Sequence, residues 1–192
     1  MRFNEIRRMC DYLMHISTQE STKNMLIPLT SEHESMTEPT PTPRFKKFRI
    51  VLIKPSKYDD DGYVIRFWKG VLPSNTLNVL HGLTEAVKDS RVFGDLPIEI
   101  VTFDETAESL PVRKIIRWTR RPSTKLVVGL VGVQTNQFPR AFDVARQFRA
   151  AGIDVIMGGF HTSGTINMLT DQEPDIQALL KESITIVSGE VE

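Results

Sequence analysis

The chain reads as an α/β domain built on a parallel sheet, and three observations carry that reading. Five short runs rich in β-branched and aliphatic residues recur along it, amphipathic helical segments separate them, and the runs are nearly continuous in apolar character rather than alternating. Strands that alternate with helices pair in parallel, and right-handed crossovers place the helices on both faces. Five strands suit a doubly wound, flavodoxin-like (Rossmann-like) sheet of order 2-1-3-4-5.

The first strand is Arg49-Ile50-Val51-Leu52-Ile53-Lys54, stopped by Pro55, and a long polar loop follows it. Ser74, behind Pro73, suits a helix N-cap, and Leu77, Leu80, Leu83 and Val87 set an apolar stripe for a helix to about Ser90. A second strand spans Ile98 to Phe103. Val112, Ile115, Ile116 and Thr119 fall on one face of the next helix, whose other positions carry Arg113, Lys114, Arg117, Arg120 and Arg121. Lys125 to Val133 is the most apolar strand. Pro139 then fits a first helical turn, Ala141, Val144, Ala145 and Phe148 face the core, and Gly152 sits where a C-terminal glycine cap belongs. Ile153 to Met157 makes the fourth strand, Asp175 to Ser183 a helix, and Ile184 to Val187 the fifth strand.

The α/β pattern occupies residues 47–192. Before it, residues 1–16 place Phe3, Ile6, Cys10, Leu13 and Met14 at the spacing of a short amphipathic helix. Residues 17–46 are rich in Ser, Thr, Glu and Pro and offer too little apolar surface to offset the entropy of ordering, so a largely disordered extension and linker is expected there. A length of 192 residues allows one ordinary domain with a real core. Lys+Arg and Asp+Glu both number 24, so no whole-chain field favours nucleic acid or an anionic membrane. The single cysteine, Cys10, excludes an internal disulfide, an all-cysteine zinc site and a self-contained iron–sulfur cluster. No apolar run reaches the ~20 residues of a membrane span and no secretory signal opens the chain, so the expected compartment is the cytoplasm.

In such sheets ligands sit outside the carboxyl ends of the strands, where strand order reverses. After the first strand, Asp59, Asp60 and Asp61 admit a hard-cation reading. Consecutive carboxylates, however, cannot easily converge on one ion, and a solvated turn closed by Gly62 is favoured. Tyr58 and Tyr63 on either side offer walls for a flat ligand. After the third strand, Gln134, Thr135 and Asn136 bring donors and acceptors to the sheet edge, either to meet a polar ligand or to cap the following helix. After the fourth, the pair Gly158-Gly159 allows close backbone approach, without the spacing of a dinucleotide or nucleoside triphosphate cradle. His161 reads as a loop hydrogen-bonder ahead of a metal ligand or proton carrier. The basic cluster at 113–121 invites a nucleic-acid reading through Trp118, but a solvated helix face explains it better, so no nucleic acid is expected.

From Arg49 to Glu192 the segments, in this order, resemble the N-terminal cobalamin-binding domain of cobalamin-dependent radical S-adenosylmethionine proteins. The matching stretches are Tyr58-Asp59-Asp60-Asp61-Gly62-Tyr63-Val64, Pro73-Ser74-Asn75, Val128 to Gln137 with Phe138-Pro139-Arg140-Ala141, Gly158-Gly159-Phe160-His161, and Gly189-Glu190-Val191-Glu192. The resemblance implies cobalamin as cofactor. It implies that Gly132, Val133, Gln134, Thr135 and Asn136 line the corrin and its nucleotide tail, and that Gly158 and Gly159 let the tail lie along the sheet. Tyr58, Asp61, Gly62, Tyr63 and Ser74, with Phe160 and His161, complete the expected cofactor-facing set. The wider cobalamin fold supplies a histidine to cobalt after the first strand; none occurs here between Arg49 and Leu80, as in members of the radical branch that bind without one. Family members continue into a barrel with a three-cysteine cluster motif. Its absence implies a binding module, truncated before that barrel or acting beside a separate radical S-adenosylmethionine chain, with no catalysis of its own. A flavin-binding or regulatory domain on the same fold is the competing expectation.

Overall fold

The computed structural model describes residues 45–67, 69, 72–120, 123–168 and 173–189. The readings for residues 1–16 and for 17–44 lie outside them. Five strands form one all-parallel sheet: β1 (Lys47–Lys54), β2 (Ile98–Asp104), β3 (Thr124–Leu130), β4 (Asp154–Gly158) and β5 (Thr185–Val187), in the order β2-β1-β3-β4-β5. The doubly wound 2-1-3-4-5 architecture expected from the sequence is the one observed. Register places Ile50 beside Ile100 and Val127, and Val128 beside Val51 and Val155.

Five α-helices connect the strands: α1 (Asn75–Asp89), α2 (Val112–Arg117), α3 (Phe138–Ala150), α4 (Phe160–Met168) and α5 (Pro174–Lys181). Ser74 caps α1, its hydroxyl accepting from the Leu77 amide at 3.3 Å. Gly152 ends α3 at a φ of 72° while its amide donates to the Arg149 carbonyl, the left-handed C-terminal cap its position suggests. The core lies on both faces of the sheet. One layer gathers Val51, Ile53, Val128, Leu130, Val155 and Met157 under Ile115 of α2, Val144 and Phe148 of α3, and Ile176 and Leu179 of α5. The other packs Phe48, Ile50, Leu52, Val127 and Ile156 with Leu77 of α1.

Two expectations are corrected. β3 ends at Leu130 rather than running to Val133, because Gly132 adopts φ +60° and turns the chain off the sheet. Residues after β4 do not form a loop. They enter α4 at Phe160, so His161 is a helical residue.

Candidate functional site

Three segments leave the carboxyl ends of β1, β3 and β4. The first is a small hairpin over residues 57–67. Tyr58 bridges Val64, the Asp59 amide donates to the Tyr63 carbonyl at 2.8 Å, and the Ile65 amide donates to the Lys57 carbonyl at 2.9 Å. Asp59 Oδ1 accepts from the amides of Asp61 and Tyr63 at 3.1 and 2.7 Å, and Gly62 closes the turn at φ +85°. The run of three aspartates is thus a turn whose first carboxylate caps its own backbone. Among the described residues no group of three or more His, Cys, Asp or Glu is placed to hold a metal ion.

Tyr58 does not stand free as a wall. Its hydroxyl lies 2.7 Å from Asp143 Oδ2 and 3.3 Å from the Arg140 guanidinium, both on α3, and burial pushes its phenol pKa up. Arg140 in turn grips Glu105, with Nε at 3.1 and 3.2 Å from the two carboxylate oxygens. Glu105 is 2% exposed and also accepts from the Ser56 amide at 3.1 Å. Burial opposes the Arg140 charge, yet the Glu105 carboxylate beside it holds the guanidinium pKa above its ordinary value.

The second segment turns at Gly132. There the Lys54 ammonium, at the end of β1, donates to the Gly132 carbonyl and, at 3.0 Å, to Gln137 Oε1, which also accepts from the Gln134 amide at 3.1 Å. Burial lowers the Lys54 pKa and nearby Asp104 partly restores it. A Cβ on Gly132 would stand 3.1 Å from Thr76 Cγ2, so the entry of α1 and the turn after β3 are in contact across the point where strand order reverses. Exposed Gln134 caps a 3-10 turn over Thr135–Gln137 at this edge, in which Thr135 and Asn136 are also exposed, and the turn leads into α3.

Two expected residues at the third segment have other roles. Val133 is fully buried, its amide donating to the Gly158 carbonyl and its carbonyl accepting from the His161 amide, so it faces the core and lines no ligand space. Gly159 sits at φ +144°, and a Cβ there would fall 2.2 Å from the Val133 nitrogen. The space on the side where a Cβ would stand is therefore filled by the protein's own backbone, so a nucleotide tail cannot lie on that side of Gly159. Gly158 abuts Val187 of β5, whose Cβ lies 3.4 Å from the place of an added methyl. His161 is 7% exposed, its ring centroid 4.3 Å from that of Phe138 and its Nε2 3.1 Å from Asp175 Oδ2, without hydrogen-bond alignment. It is a buried histidine packed against Phe138. Phe160, by contrast, is 72% exposed. Ser74 serves as the α1 cap, and Asp61 and Gly62 form the exposed hairpin tip.

The residues that organise this edge, Lys54, Glu105, Gln137 and Arg140, were not among the expected set. Their signal in the sequence is faint: each is a polar residue one or two positions from a strand or helix end, and Glu105 and Arg140 lie 35 residues apart. Exposed apolar side chains lie here as well. Of the six large apolar residues left exposed among those described, Tyr63, Phe67 and Leu72 lie in the segment after β1 and Phe160 opens the helix after β4, while Val79 lies within α1 and Met168 at the far end of α4. A groove of about 620 Å³ runs along α3, lined by Tyr58, Arg140, Asp143, Arg146 and Lys181 among others, but its lining is charged and includes none of these apolar residues. The apolar edge is the stronger candidate for a ligand.

The fold is that of a doubly wound, all-parallel α/β domain of order 2-1-3-4-5. No protein-family model matches the chain, and no curated protein matches it. Among the described residues no helix is long and apolar enough to cross a membrane.

Proposed function

We propose that the chain is a cytoplasmic corrinoid-binding module, which holds cobalamin at the carboxyl edge of its sheet and leaves the reaction to the cofactor or to a separate radical S-adenosylmethionine chain. The observation that carries this reading is that exposed Tyr63, Phe67 and Leu72 lie in the segment after β1 and exposed Phe160 opens the helix after β4. A corrin ring is a broad, flat macrocycle with apolar faces and a fringe of amides. Tyr63, Phe67 and Phe160 suit its face, and the exposed Gln134, Thr135 and Asn136 suit the fringe. The fit is partial. The nucleotide tail has no room on the Cβ side of Gly159 and would lie outside, along the 3-10 turn. When bound, the corrinoid supplies cobalt-centred redox or alkyl-transfer chemistry; this chain's residues bind and orient it.

No described histidine is offered to the cobalt. His161 is packed against Phe138 and Asp175, and His81 lies in the middle of α1. Cobalamin reduced to Co(II) on the protein is expected to show no nitrogen splitting from a protein imidazole in its paramagnetic resonance spectrum, in wild type and His161→Ala alike.

The deciding experiment titrates the purified chain with hydroxocobalamin and, separately, with flavin mononucleotide. One corrinoid bound per chain is expected, with Phe160→Ser and Tyr63→Ser each weakening it about tenfold at unchanged melting temperature, which corresponds to about 1.4 kcal/mol. Stoichiometric flavin binding without corrinoid binding makes the domain a flavin protein. Binding of neither refutes the assignment.

A further inference from the structure

We infer that residues 57–67 form a hinged flap over the carboxyl edge, and that the buried Glu105–Arg140 pair is its latch, closed through the Tyr58 hydroxyl. This does not depend on which ligand the edge takes. The flap is a unit in itself, because its hydrogen bonds run between Lys57 and Ile65, between Asp59 and Tyr63, and from the Asp59 carboxylate to its own turn. Its tip, Asp59 to Tyr63, is exposed, and among the described residues its hydrogen bonds stay within the hairpin. What ties it down lies at its base and one side, and includes a hydrogen bond from the Arg66 guanidinium to the Ser109 hydroxyl. At the base, the Ser56 amide donates to Glu105, the Ser56 hydroxyl donates to the Ile65 carbonyl, and the Phe67 amide donates to the Thr106 carbonyl at 2.8 Å. On the side, Tyr58 meets Arg140 and Asp143 of α3, with the Arg140 guanidinium 5.7 Å from the ring centroid.

Glu105 joins the two attachments. One carboxylate, 2% exposed, holds Ser56 at the root of the flap and Arg140 on α3, while its own amide donates to the Lys54 carbonyl at 3.0 Å. A short hairpin of this length is marginal by itself. Release of the Tyr58 contact therefore frees the outer part of the flap, and with it Tyr63, while Arg66 and Phe67 stay held at the base and the sheet is undisturbed. A charged pair sequestered at one end of a small exposed hairpin is the arrangement of a two-position element, closed while three groups are in register and open when one is removed.

Hydrogen exchange resolved by residue tests this on the whole chain. Tyr58→Phe keeps the ring over Arg140 and removes only the hydroxyl. It is expected to raise exchange about tenfold at the amides of Asp59 and Ile65, leaving Phe67 at the base, Val128 of β3 and Val144 of α3 unchanged. Glu105→Gln is expected to act at the same amides, with a larger rise, and to add Ser56. Should Glu105→Gln fail to fold, Tyr58→Phe alone decides. Unchanged exchange in the flap of Tyr58→Phe overturns the latch. A rise of equal size in β3 and α3 overturns the flap, since the unit would then open only with the whole domain.

Discussion

Where β3 and β4 end, the chain is joined backbone to backbone: Gly159 lies on Val133, the Val133 amide meets the Gly158 carbonyl, and the His161 amide meets the Val133 carbonyl. Where β1 and β2 end, the backbone bonds from Glu105 to Lys54 and from Val131 to Ile53 are supplemented by charged side chains, through Lys54 to Gly132 and through Glu105 to Arg140 and Ser56. Backbone contact of the first kind leaves no volume for a side chain and little freedom to move. Side-chain contact of the second kind can be broken at one atom while the strands stay paired. The same edge thus has a fixed half and an adjustable half, and the ligand proposal draws on both, with Phe160 on the fixed side and Tyr63 on the adjustable one.

The sharpest way to break this comparison is at Gly159. An alanine there places a methyl 2.2 Å from the Val133 nitrogen and 2.7 Å from its carbonyl oxygen, in a backbone conformation that L-residues avoid. Neither neighbour can yield, because both are held in the β3–β4 contact. Gly159→Ala is expected to cost about 4 kcal/mol or more and to lower soluble yield, which denaturant unfolding measures. The glycine next to it sets the control. Gly158→Ala meets only the Val187 side chain and carbonyl at 3.4 Å and has an ordinary φ, so its cost stays near or below about 1 kcal/mol. Equal losses at the two positions contradict the picture of a fixed half built on a single close approach.

A loss of intermediate size is expected at Lys54, which spans from β1 to the turn after β3. Lys54→Met keeps the length of the stem but leaves the Gly132 carbonyl without the Lys54 donor, while Gln137 Oε1 keeps only the Gln134 amide, at a cost of about 1–3 kcal/mol. Part of that is returned, because a charge that burial disfavours is gone. The linkage has a definite sign. With the Lys54 pKa lowered on folding, the wild-type chain loses less to burial of the charge as pH rises through the folded-state value toward the ordinary lysine value, and Lys54→Met lacks that gain. Parallel pH–stability curves for the two proteins in the alkaline range exclude Lys54 as the group responsible.

The fixed half was also the more deceptive to read from sequence. Period and punctuation reveal the sheet, because strands such as Ile50 to Ile53 are buried on both sides, and Ser74 and Gly152 mark helix ends by chemistry that is local. The pair Gly158-Gly159 signals close approach correctly, but a sequence does not say to what, and here the neighbour is the protein itself. Helix α4 gives almost no periodic signal: Phe160, Thr162, Ser163, Gly164 and Thr165 mix polarity and size without a face, and the Val133 carbonyl helps anchor its start. Tertiary contact overrides propensity there. On the adjustable half the turn at Asp59 to Gly62 was legible, since Asx closure and a left-handed glycine are local features. The ion pair beneath it was not, because nothing near Glu105 in the sequence names Arg140.

The smallest effect is expected at the flap's tip, and its size reports on the comparison itself. Gly62 holds φ +85° with nothing within 4 Å of an added Cβ, so Gly62→Ala meets strain and no clash. Left-handed backbone costs a non-glycine residue about 1–2 kcal/mol. In a rigid part of the domain that full cost would appear in the unfolding free energy. In a flap that opens by itself, the loss is capped at the flap's own closing energy, because the chain can release the turn and keep the sheet. Gly62→Ala is therefore expected to lower global stability by less than about 1 kcal/mol while raising exchange at the Asp59 and Ile65 amides, and Gly62→Asn, which tolerates this conformation better, should restore most of that protection. A global loss at or above the full strain, with flap and core amides exchanging in step, would mean that residues 57–67 unfold only with the domain and that the two halves of the edge are equally fixed.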